Sequence, residues 1–467
     1  MAFKNNRCPG PNRRDFLQFG VLGAMSLSGL LQSRSAGATS GNSYFGSAKR
    51  CIILFMSGGP PQQDTFDLKP DAPVDLRGEF KPLRTNVPGI EISEQFPLLA
   101  KMADRYAIIR SVTHDSNIHT VGAHAMLTGN AYPKPASGEI AASPDDFPQY
   151  GAVLSYLKYG GPALPTFVAL PQRNTNTDGT IWPGQGGGFL GARFNPLQIT
   201  ADYPKHHSDL ASYTNRPFRT PALTLPEGMT EDRFDARRRL LDLLEADARA
   251  AEHMAAHGPA DPFRAQAFSL LHSAETQRAF NLDSEPAAVR DRYGRHLFGQ
   301  GCLLSRRLVA AGVPLVTLYW HPDGNTTAPS WDTHEKNYEN LRGHLMSPCD
   351  QGFSALLEDL HQSGLLKDTM VVWMGEFGRT PQINKAGGRD HWGACQSIVM
   401  AGAAIRGGQV YGKSDKIAAY PVENPVSPGD VGATIYSLLG VHPDTQTVDQ
   451  TGRPHRLVQG EPITGIM

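Results

Sequence analysis

A strand–helix–strand pattern in the second half of this 467-residue chain constrains its fold more than any other feature. Apolar runs at 313–321 and 369–374 have the continuity of strands buried on both faces, and a helix is predicted between them at 337–363. Similar apolar runs occur elsewhere, at 51–56, 106–112, 164–170 and 397–401. Strands joined through helices form a mostly parallel sheet with helices on both faces. The sequence therefore predicts an α/β fold, in which ligands bind beyond the carboxyl ends of the strands.

Polar residues follow the ends of the strands at 313–321 and 369–374. These residues are Asp332, His334, Glu376, Asp390 and His391. Carboxylates mixed with imidazoles suit a divalent metal such as zinc or manganese, so all five are predicted ligands. Each also has a structural alternative: Asp332 as a helix cap, His334 as a surface residue, and Glu376 as the partner of an arginine. Asp390 either binds the metal itself or orients His391.

Two loops in the first half of the chain end at the same predicted edge of the sheet. The loop after 51–56 contains Asp64, which is either a ligand or a simple turn residue. The loop after 106–112 contains three histidines, and we expect at least one of them to face the site: His114, His119 and His124. Residues 125–129 have the pattern of a helix end.

The middle of the chain lacks the strand pattern. Residues 172–225 are rich in Gly, Asn, Thr and Pro and show no periodicity, which predicts surface loops around a site entrance. Thr230 is a predicted N-cap of an amphipathic helix that continues toward His257. Helical patterns continue at 261–282 and 286–311. We therefore predict a single domain over 39–467 with loop and helical insertions at about 172–310, the helical part packing against one face of the sheet.

The first 38 residues have the pattern of an export signal. Arg13 and Arg14 precede an uncharged, largely apolar stretch at 16–31, and a small-residue cleavage site follows at 36–38. The alternative is a disordered tail that happens to carry two arginines. The apolar stretch is too short for a membrane anchor. The pattern predicts export by the twin-arginine pathway, to the periplasm or the extracellular space.

Composition narrows the possible partners. The formal net charge is -1 and no basic block is present, so we expect no nucleic-acid partner. No later segment approaches the roughly 18–20 continuous apolar residues of a spanning helix, so we expect no stable membrane span. Four cysteines beyond the signal lack any CxxC spacing, which favours buried thiols although an exported protein is permitted a disulfide. Oligomeric state does not follow from the sequence.

Several ordered motifs resemble one known group of proteins. They are YGRHLFGQGCLLSRRLVAAGVP from Tyr293, WDTHEKN from Trp331, WMGEFGRTP from Trp373, GGRDHW from Gly387 and GDVGATIYSLLGV from Gly429. Together they resemble the alkaline phosphatase–sulfatase–phosphoglycerate mutase superfamily, and more narrowly the DUF1501 proteins. The segment AMLTG from Ala125 is similar to the end of the helix that carries the sulfatase nucleophile. This resemblance implies an alkaline-phosphatase-like three-layer sandwich.

The resemblance also implies a function. Asp332, His334 and His391 match metal ligands of the superfamily, and Glu376 stands where most members have Asp. One or two metals, with zinc, manganese and calcium as candidates, would polarise a phosphate or sulfate ester and lower the pKa of the nucleophile. The nucleophile position falls at His119 with Thr120 beside it, and a threonine alkoxide is one candidate. Arg379 and Arg389 either clamp the anionic ester or neutralise Glu376 and Asp390.

This chain also departs from the superfamily pattern. Ser57 and Gly58 occupy the place of the usual aspartate after the first strand, so Asp64 or Asp67 is the predicted substitute. Phe377 stands where His or Asn is common, and the Cys/Ser-x-Pro-x-Arg signature of sulfatases is absent before Ala125. Sulfatase activity through formylglycine is therefore not expected. Two other functions stay open: a non-catalytic binding protein for anionic glycans, and a vestigial structural partner of another exported enzyme. The favoured prediction is a metal-dependent hydrolase of a small-molecule or glycan anionic ester.

Overall fold

A mixed sheet of eight strands organises the chain in this computed structural model. The structure describes residues 43–161, 164–201, 218–219, 278–321 and 330–467, with isolated positions between 230 and 239. The strands are β1 Arg50–Phe55, β2 Tyr106–Val112, β3 Phe167–Leu170, β4 Leu197–Gln198, β5 Leu315–Tyr319, β6 Thr369–Met374, β7 Gln396–Ala401 and β8 Gln409–Tyr411. Their order across the sheet is β8-β2-β7-β6-β1-β5-β3-β4.

One strand of this sheet runs against all the others. β7 pairs antiparallel with both β6 and β2, whereas the remaining neighbours pair in parallel. At the centre, Ile53 of β1 lies between Thr317 of β5 and Val372 of β6. Because β7 is reversed, it begins at the edge where the parallel strands end. The residues that precede β7 therefore lie at the same edge as the residues that follow β5 and β6.

Helices cover both faces of the sheet. They are α1 His119–Thr128, α2 Tyr150–Tyr156, α3 Ala287–Tyr293, α4 Leu297–Ala311, α5 Met346–Gln362 and α6 Pro428–Leu438. Side chains alternate along β1, so Ile52 and Leu54 join one buried apolar core with α4 and α5. Cys51, Ile53 and Phe55 join a second core on the opposite face with α1, α2 and α6. Fully burying an aliphatic or aromatic side chain stabilises a fold by about 1.5–3 kcal/mol, so these two cores hold the three layers together.

The ends of α1 and α6 are defined by local chemistry. α1 ends at Gly129, whose left-handed φ of 72° suits glycine. Ser427 caps α6: its hydroxyl accepts from the Asp430 N–H, and the Asp430 carboxylate accepts from the Ser427 N–H. α1 begins at His119, so its first turn delivers that side chain to the carboxyl edge of the sheet.

The predicted α/β architecture, with a mostly parallel sheet between two helical layers, is confirmed, although single elements differ from their prediction. The strand predictions at 106–112 and 369–374 match the observed bounds, and the strand predicted at 313–321 is shorter. The region 337–363, predicted as one helix, is Asn337–Asn340, a π-helical turn at Leu341–Leu345, and then α5. A short 3-10 helix, Leu99–Arg105, precedes β2.

The predicted insertion at about 172–310 is only partly described. The Thr230 hydroxyl accepts from the Arg233 N–H at 3.3 Å, as expected of an N-cap, and the described positions that follow, up to 239, are helical. The rest of this helix toward His257, and most of the one expected at 261–282, lie outside the described residues. The last part of the predicted insertion, from residue 278, is described and contains α3 and most of α4. Residues 172–201, predicted as surface loops, contain the edge strand β4 and several buried side chains, because they pack against the open edge of β3. The insertion as a whole stays a prediction.

Short elements complete the described chain. Two-stranded ribbons pair Pro82–Arg84 with Glu91–Ser93, Thr200–Ala201 with Phe218–Arg219, Gly378–Arg379 with His391–Trp392, Lys413–Ser414 with Pro421–Glu423, and Gln446–Val448 with Pro454–Arg456. Remaining helical turns are Gln62–Asp64, Val74–Arg77, Gly188–Leu190, Ala192–Phe194, Leu282–Ser284, Leu365–Lys367 and Thr464–Ile466.

Tyr44–Met467 forms one compact unit, and the helices described within it are all too short or too polar to cross a membrane. The predicted export signal at 1–38 lies outside the described residues. Cys51, Cys302, Cys349 and Cys395 are free and buried, as predicted for inert thiols.

Candidate metal centre

Four chain segments meet at the carboxyl edge of the sheet. Glu376 follows β6 after a single glycine, and His119 starts α1 in the connection that follows β2. Asp332 and His334 lie in the segment after β5, and His391 lies shortly before the reversed strand β7. The topology alone therefore brings five titratable side chains to one place.

Three of these side chains converge at their tips. Nε2 of His334 lies 2.8 Å from Nε2 of His391, and each of these nitrogens lies 3.0 Å from Oδ1 of Asp332. The other oxygen of this carboxylate, Oδ2, lies 3.3 Å from Nε2 of His119. Donor atoms of His119, Asp332 and His391 all lie within 4.8 Å of one another, which is close enough for the three side chains to share one metal ion. Zinc ligands lie about 2.0–2.2 Å from the ion, so small movements of these side chains would make room for a cation between the donor atoms.

Each of the three imidazoles is held from behind through its other nitrogen. Nδ1 of His119 lies 2.7 Å from Oε1 of Glu376, and Nδ1 of His334 lies 2.8 Å from Oδ1 of Asp390. Nδ1 of His391 donates to the backbone carbonyl of Asn117 at 2.8 Å. A carbonyl only accepts, so the neutral His391 ring carries its lone pair on Nε2, facing Asp332. Imidazoles oriented in this way are typical of metal ligands.

The charges of the cluster shift the pKa values of its members. Burial opposes the charged imidazole of His119, but hydrogen bonds to Asp332 and Glu376 outweigh it and raise its pKa to about 9. The hydrogen bond to Asp332 also raises the pKa of His334 above its ordinary value. Burial opposes ionisation of Asp332, yet hydrogen bonds from the three histidines hold its pKa far below the usual range. The cluster thus favours a cation at its centre, whether protons or a metal.

The structure places Glu376 behind His119. Its side chain is fully buried, and Oε1 accepts from the Gly58 N–H at 2.7 Å as well as contacting His119. Gly58 has a φ of 109°, and a Cβ there would collide with the backbone of Asp332. The glycine found in place of the usual aspartate therefore allows the first loop to pass close to the Asp332 segment. Glu376 thus holds His119 in position instead of pairing with an arginine, the alternative given by the sequence. Asp390 holds His334 and not His391, the residue it was expected to orient.

Arg379 is fully buried and its guanidinium is occupied. It contacts Oδ1 of Asp332 at 2.5 Å, and it donates to the carbonyls of Gly58, Gly59 and Arg389. Neither Glu376 nor Asp390 forms the ion pair that the sequence suggested for this arginine. The geometry favours a role in positioning Asp332 over the predicted clamp on an anionic substrate, because the donors already have partners.

Asp64 lies in a different, fully buried ion pair. Nε and Nη2 of Arg389 contact its two carboxylate oxygens at 2.8 Å and 3.1 Å, and Asn337 donates to Oδ2 at 2.9 Å. The predicted ligand role of Asp64 therefore has no support in this geometry, because both oxygens are already bound. Asp67, the other predicted substitute, pairs with Lys69 at 2.9 Å and accepts from Ser414.

The remaining residues of the polar loop also have partners. The Thr120 hydroxyl is fully buried and accepts from the Ile140 N–H at 3.0 Å, so the described geometry gives its predicted role as nucleophile no support. His124 is buried between the Asn130 carbonyl and the Phe147 N–H. His114 lies 2.6 Å from the backbone carbonyl of Glu376, on the side of the site. The expectation that at least one of these loop histidines faces the site agrees best with His119.

Two aromatic rings flank the histidines. Phe377 packs against His119 and His391, with ring centroids 4.9 Å and 4.6 Å apart, and Trp182 stacks on His119 at 5.6 Å. Sequence reasoning missed His119 as a possible ligand and missed Trp182 altogether. The available signal for His119 was its position after β2, at the start of a helix pattern. No spacing in the sequence indicated that Trp182 would reach the same edge.

The fold is an open α/β sheet with a carboxylate–imidazole cluster at its carboxyl edge. Residues 48–467 match the family described as a protein of unknown function, DUF1501. The chain belongs to the DUF1501 family, which confirms the resemblance seen in its motifs. No relative is found among the curated proteins.

Solved structures with some likeness come from the wider superfamily. A protein in the alkaline phosphatase superfamily from Vibrio parahaemolyticus is 13% identical, with a TM-score of 0.37, and the match covers 88% of this chain and 74% of that chain. A putative sulfatase from Bacteroides thetaiotaomicron is 12% identical, with a TM-score of 0.38 and coverages of 87% and 72%. The lipoteichoic acid synthase LtaP from Listeria monocytogenes is 11% identical, with a TM-score of 0.37 and coverages of 90% and 78%. Likeness at this level supports no inference about activity.

Proposed function

We propose that this protein is an exported, metal-dependent hydrolase of phosphate or sulfate esters. The observation that carries the proposal is the convergence of three imidazole Nε2 atoms on the Asp332 carboxylate, each ring held through Nδ1 by Glu376, Asp390 or the Asn117 carbonyl. Such a set has its lone pairs prearranged for a cation. The motifs that resemble the alkaline phosphatase–sulfatase superfamily supply the reaction class.

The donor set indicates which metals fit. Asp332, His119, His334 and His391 offer one carboxylate and three imidazoles, which suits zinc or manganese better than calcium, an ion that prefers oxygen ligands. A divalent ion bound here would polarise the ester oxygen and lower the pKa of the attacking group. Glu376 and Asp390 hold the ligand rings in position, and Arg379 holds Asp332. Phe377 and Trp182 shield His119 from solvent.

The attacking group under this proposal is a water molecule. The Thr120 hydroxyl oxygen already accepts a hydrogen bond from the Ile140 N–H, and the sulfatase signature is absent from the loop before Ala125. Water needs no covalent intermediate on the chain, so the residues around it only have to position it. His119 is counted among the four ligands and its other nitrogen is held by Glu376, so it has no free nitrogen for a proton. A divalent ion bound here would lower the pKa of the water, and the proton would leave to solvent.

A binding protein for anionic glycans is the second candidate. The buried contact between Arg379 and Asp332 favours it, because a positive charge already lies against the central carboxylate. The first measurement that separates the two candidate functions is the zinc content of the protein. The second is hydrolysis of three esters: 4-nitrophenyl phosphate, bis(4-nitrophenyl) phosphate and 4-nitrophenyl sulfate. Zinc-dependent release of nitrophenol that is lost in His391→Ala supports the hydrolase. Protein that holds no zinc and turns over none of these esters supports the binding protein.

A further inference from the structure

Three buried polar atoms beside the candidate metal centre have no hydrogen-bond partner among the described residues. They are Oε2 of Glu376, Nδ2 of Asn174 and Nε1 of Trp182. Buried polar atoms are nearly always paired because an unmade hydrogen bond inside a protein is costly. Three such atoms in neighbouring residues therefore point to a group that binds there.

The residues that carry these atoms are linked in a closed series of contacts. Glu376 contacts His119 and accepts from the Gly58 N–H, and the neighbouring Ser57 donates its hydroxyl to Oδ1 of Asn174 at 2.9 Å. The backbone N–H of Trp182 donates to the backbone carbonyl of Asn174 at 3.1 Å, and the Trp182 ring stacks on His119. Asn174 and Trp182 thus stand at the two ends of one hairpin, which closes against the metal centre.

The three atoms match the hydrogen-bonding capacity of a single hydroxyl group. Glu376 Oε2 is an acceptor, whereas Asn174 Nδ2 and Trp182 Nε1 are donors. A hydroxyl donates one hydrogen bond and accepts two, which is the combination of donors and acceptors that the three atoms lack. The Glu376 carboxylate would repel an anion, and the two N–H groups would repel a metal ion. A neutral hydroxyl is therefore the group that fits.

We infer that Glu376, Asn174 and Trp182 form a hydroxyl pocket for the part of the substrate that carries the ester. The pocket adjoins His119, so a hydroxyl on a carbon near the ester oxygen reaches it while the ester faces Asp332. The substrates are then esters of polyols or sugars. This inference rests on the proposed function but concerns recognition, so it holds for a protein that binds such esters without cleaving them. The hairpin between Asn174 and Trp182 has an exposed tip at 177–179.

Matched ligands test the pocket by calorimetry in buffer that contains zinc. Glycerol phosphate and propyl phosphate have the same carbon chain, but only the first has hydroxyls beside the ester; glycerol sulfate and propyl sulfate form the equivalent pair. We expect the protein to bind the hydroxylated ester of at least one pair on the order of tenfold tighter, as a site built around a hydroxyl requires. Trp182→Phe keeps the ring but removes the N–H, and it should bring the ratio of the two affinities close to one.

Further variants and outcomes separate the alternatives. Asn174→Leu removes the second donor and should also lower the ratio, whereas Thr177→Ala, on the exposed tip of the same hairpin, should preserve it. Equal affinities within both pairs, or binding of none of the four esters, overturn the inference and leave a bound water as the partner of the three atoms. An affinity ratio that survives in Trp182→Phe also overturns it. Clear preference without any hydrolysis supports the pocket and contradicts only the proposed hydrolase activity.

Discussion

Nε2 of His334 lies 2.8 Å from Nε2 of His391, although 57 positions separate the two residues in the chain. Two neutral imidazoles cannot turn their lone pairs toward each other at that distance, so one ring carries a proton there or a metal replaces it. Asp332 contacts both nitrogens at 3.0 Å and Asp390 holds the back of His334. The pair is therefore already arranged around a shared cation.

Metal affinity should depend on pH because protons compete for the same nitrogens. The pKa of His119 is raised to about 9, from an ordinary value of 6.5, so metal binding at neutral pH has to displace its proton. Zinc affinity measured by competition with a chromophoric chelator should rise as the pH increases from 6 to about 9. An affinity that is constant over this range, after correction for the chelator, would show that His119 is not a ligand.

The same titration should appear in the stability of the metal-free protein. His119 has a folded-state pKa above its unfolded value, so its charge stabilises the fold fully below pH 6.5, and this contribution disappears as the pH rises through about 9. The increase in Tm caused by saturating zinc should therefore be larger at pH 8.5 than at pH 6. A Tm increase that shrinks over this interval contradicts the assignment.

Glu376→Gln should weaken metal binding without unfolding the protein. The amide can still accept from the Gly58 N–H, but it lacks the charge that orients His119, and loss of such a partner lowers metal affinity by about 10–100-fold. Zinc titration of the folded variant measures the effect. Glu423→Gln is the matched control, because Glu423 is exposed and pairs with Lys413. The protein with this substitution should bind zinc like the unmodified protein. If Glu376→Gln abolishes binding completely, Glu376 itself is a ligand.

Asp64→Asn should lower stability and leave metal content unchanged. Asp64 and Arg389 are both fully buried, and breaking such a pair leaves an unpaired charge at a cost of about 3–5 kcal/mol. Urea denaturation measures the loss, and the double variant Asp64→Leu with Arg389→Met should recover part of it. Reduced zinc stoichiometry in a folded Asp64→Asn protein would restore the original prediction that Asp64 is a ligand.

Arg13 and Arg14 should both be needed for export. Changing both to Lys retains the charge but removes the residue pair that the twin-arginine pathway reads. We expect uncleaved precursor to accumulate inside the cell, as detected by immunoblotting of cell fractions. Normal export of the double variant would contradict the twin-arginine proposal and leave the first 38 residues as a simple tail.

Continuous patterns in the sequence predicted most of the fold. The buried strand at 369–374 was predicted to the residue, because a short, largely apolar run that contains β-branched residues and ends at a glycine favours a buried strand. β4 and β8, by contrast, are short edge strands of two and three residues, too brief to show a period. The π-helical turn at Leu341–Leu345 could not be predicted, since it depends on packing rather than on local pattern.

The candidate site was predictable where residues directly follow strands. Asp332, His334 and His391 come together because strand ends share one edge, and this rule needs only the order of elements. The partner of Asp64 could not be predicted in the same way, since Arg389 lies 325 positions further along the chain. Similarly, Trp182 reaches His119 through a hairpin whose path depends on tertiary contacts.

Metal content, measured by plasma mass spectrometry, tests the central claim most directly. The protein should be loaded with zinc, dialysed, and compared with the His334→Ala/His391→Ala double variant, with circular dichroism confirming that both are folded. We expect about one zinc ion per chain in the unmodified protein and loss of most of the bound zinc in the double variant. Zinc-free unmodified protein, or equal zinc in a folded variant, would contradict a metal centre built on Asp332 and its three histidines.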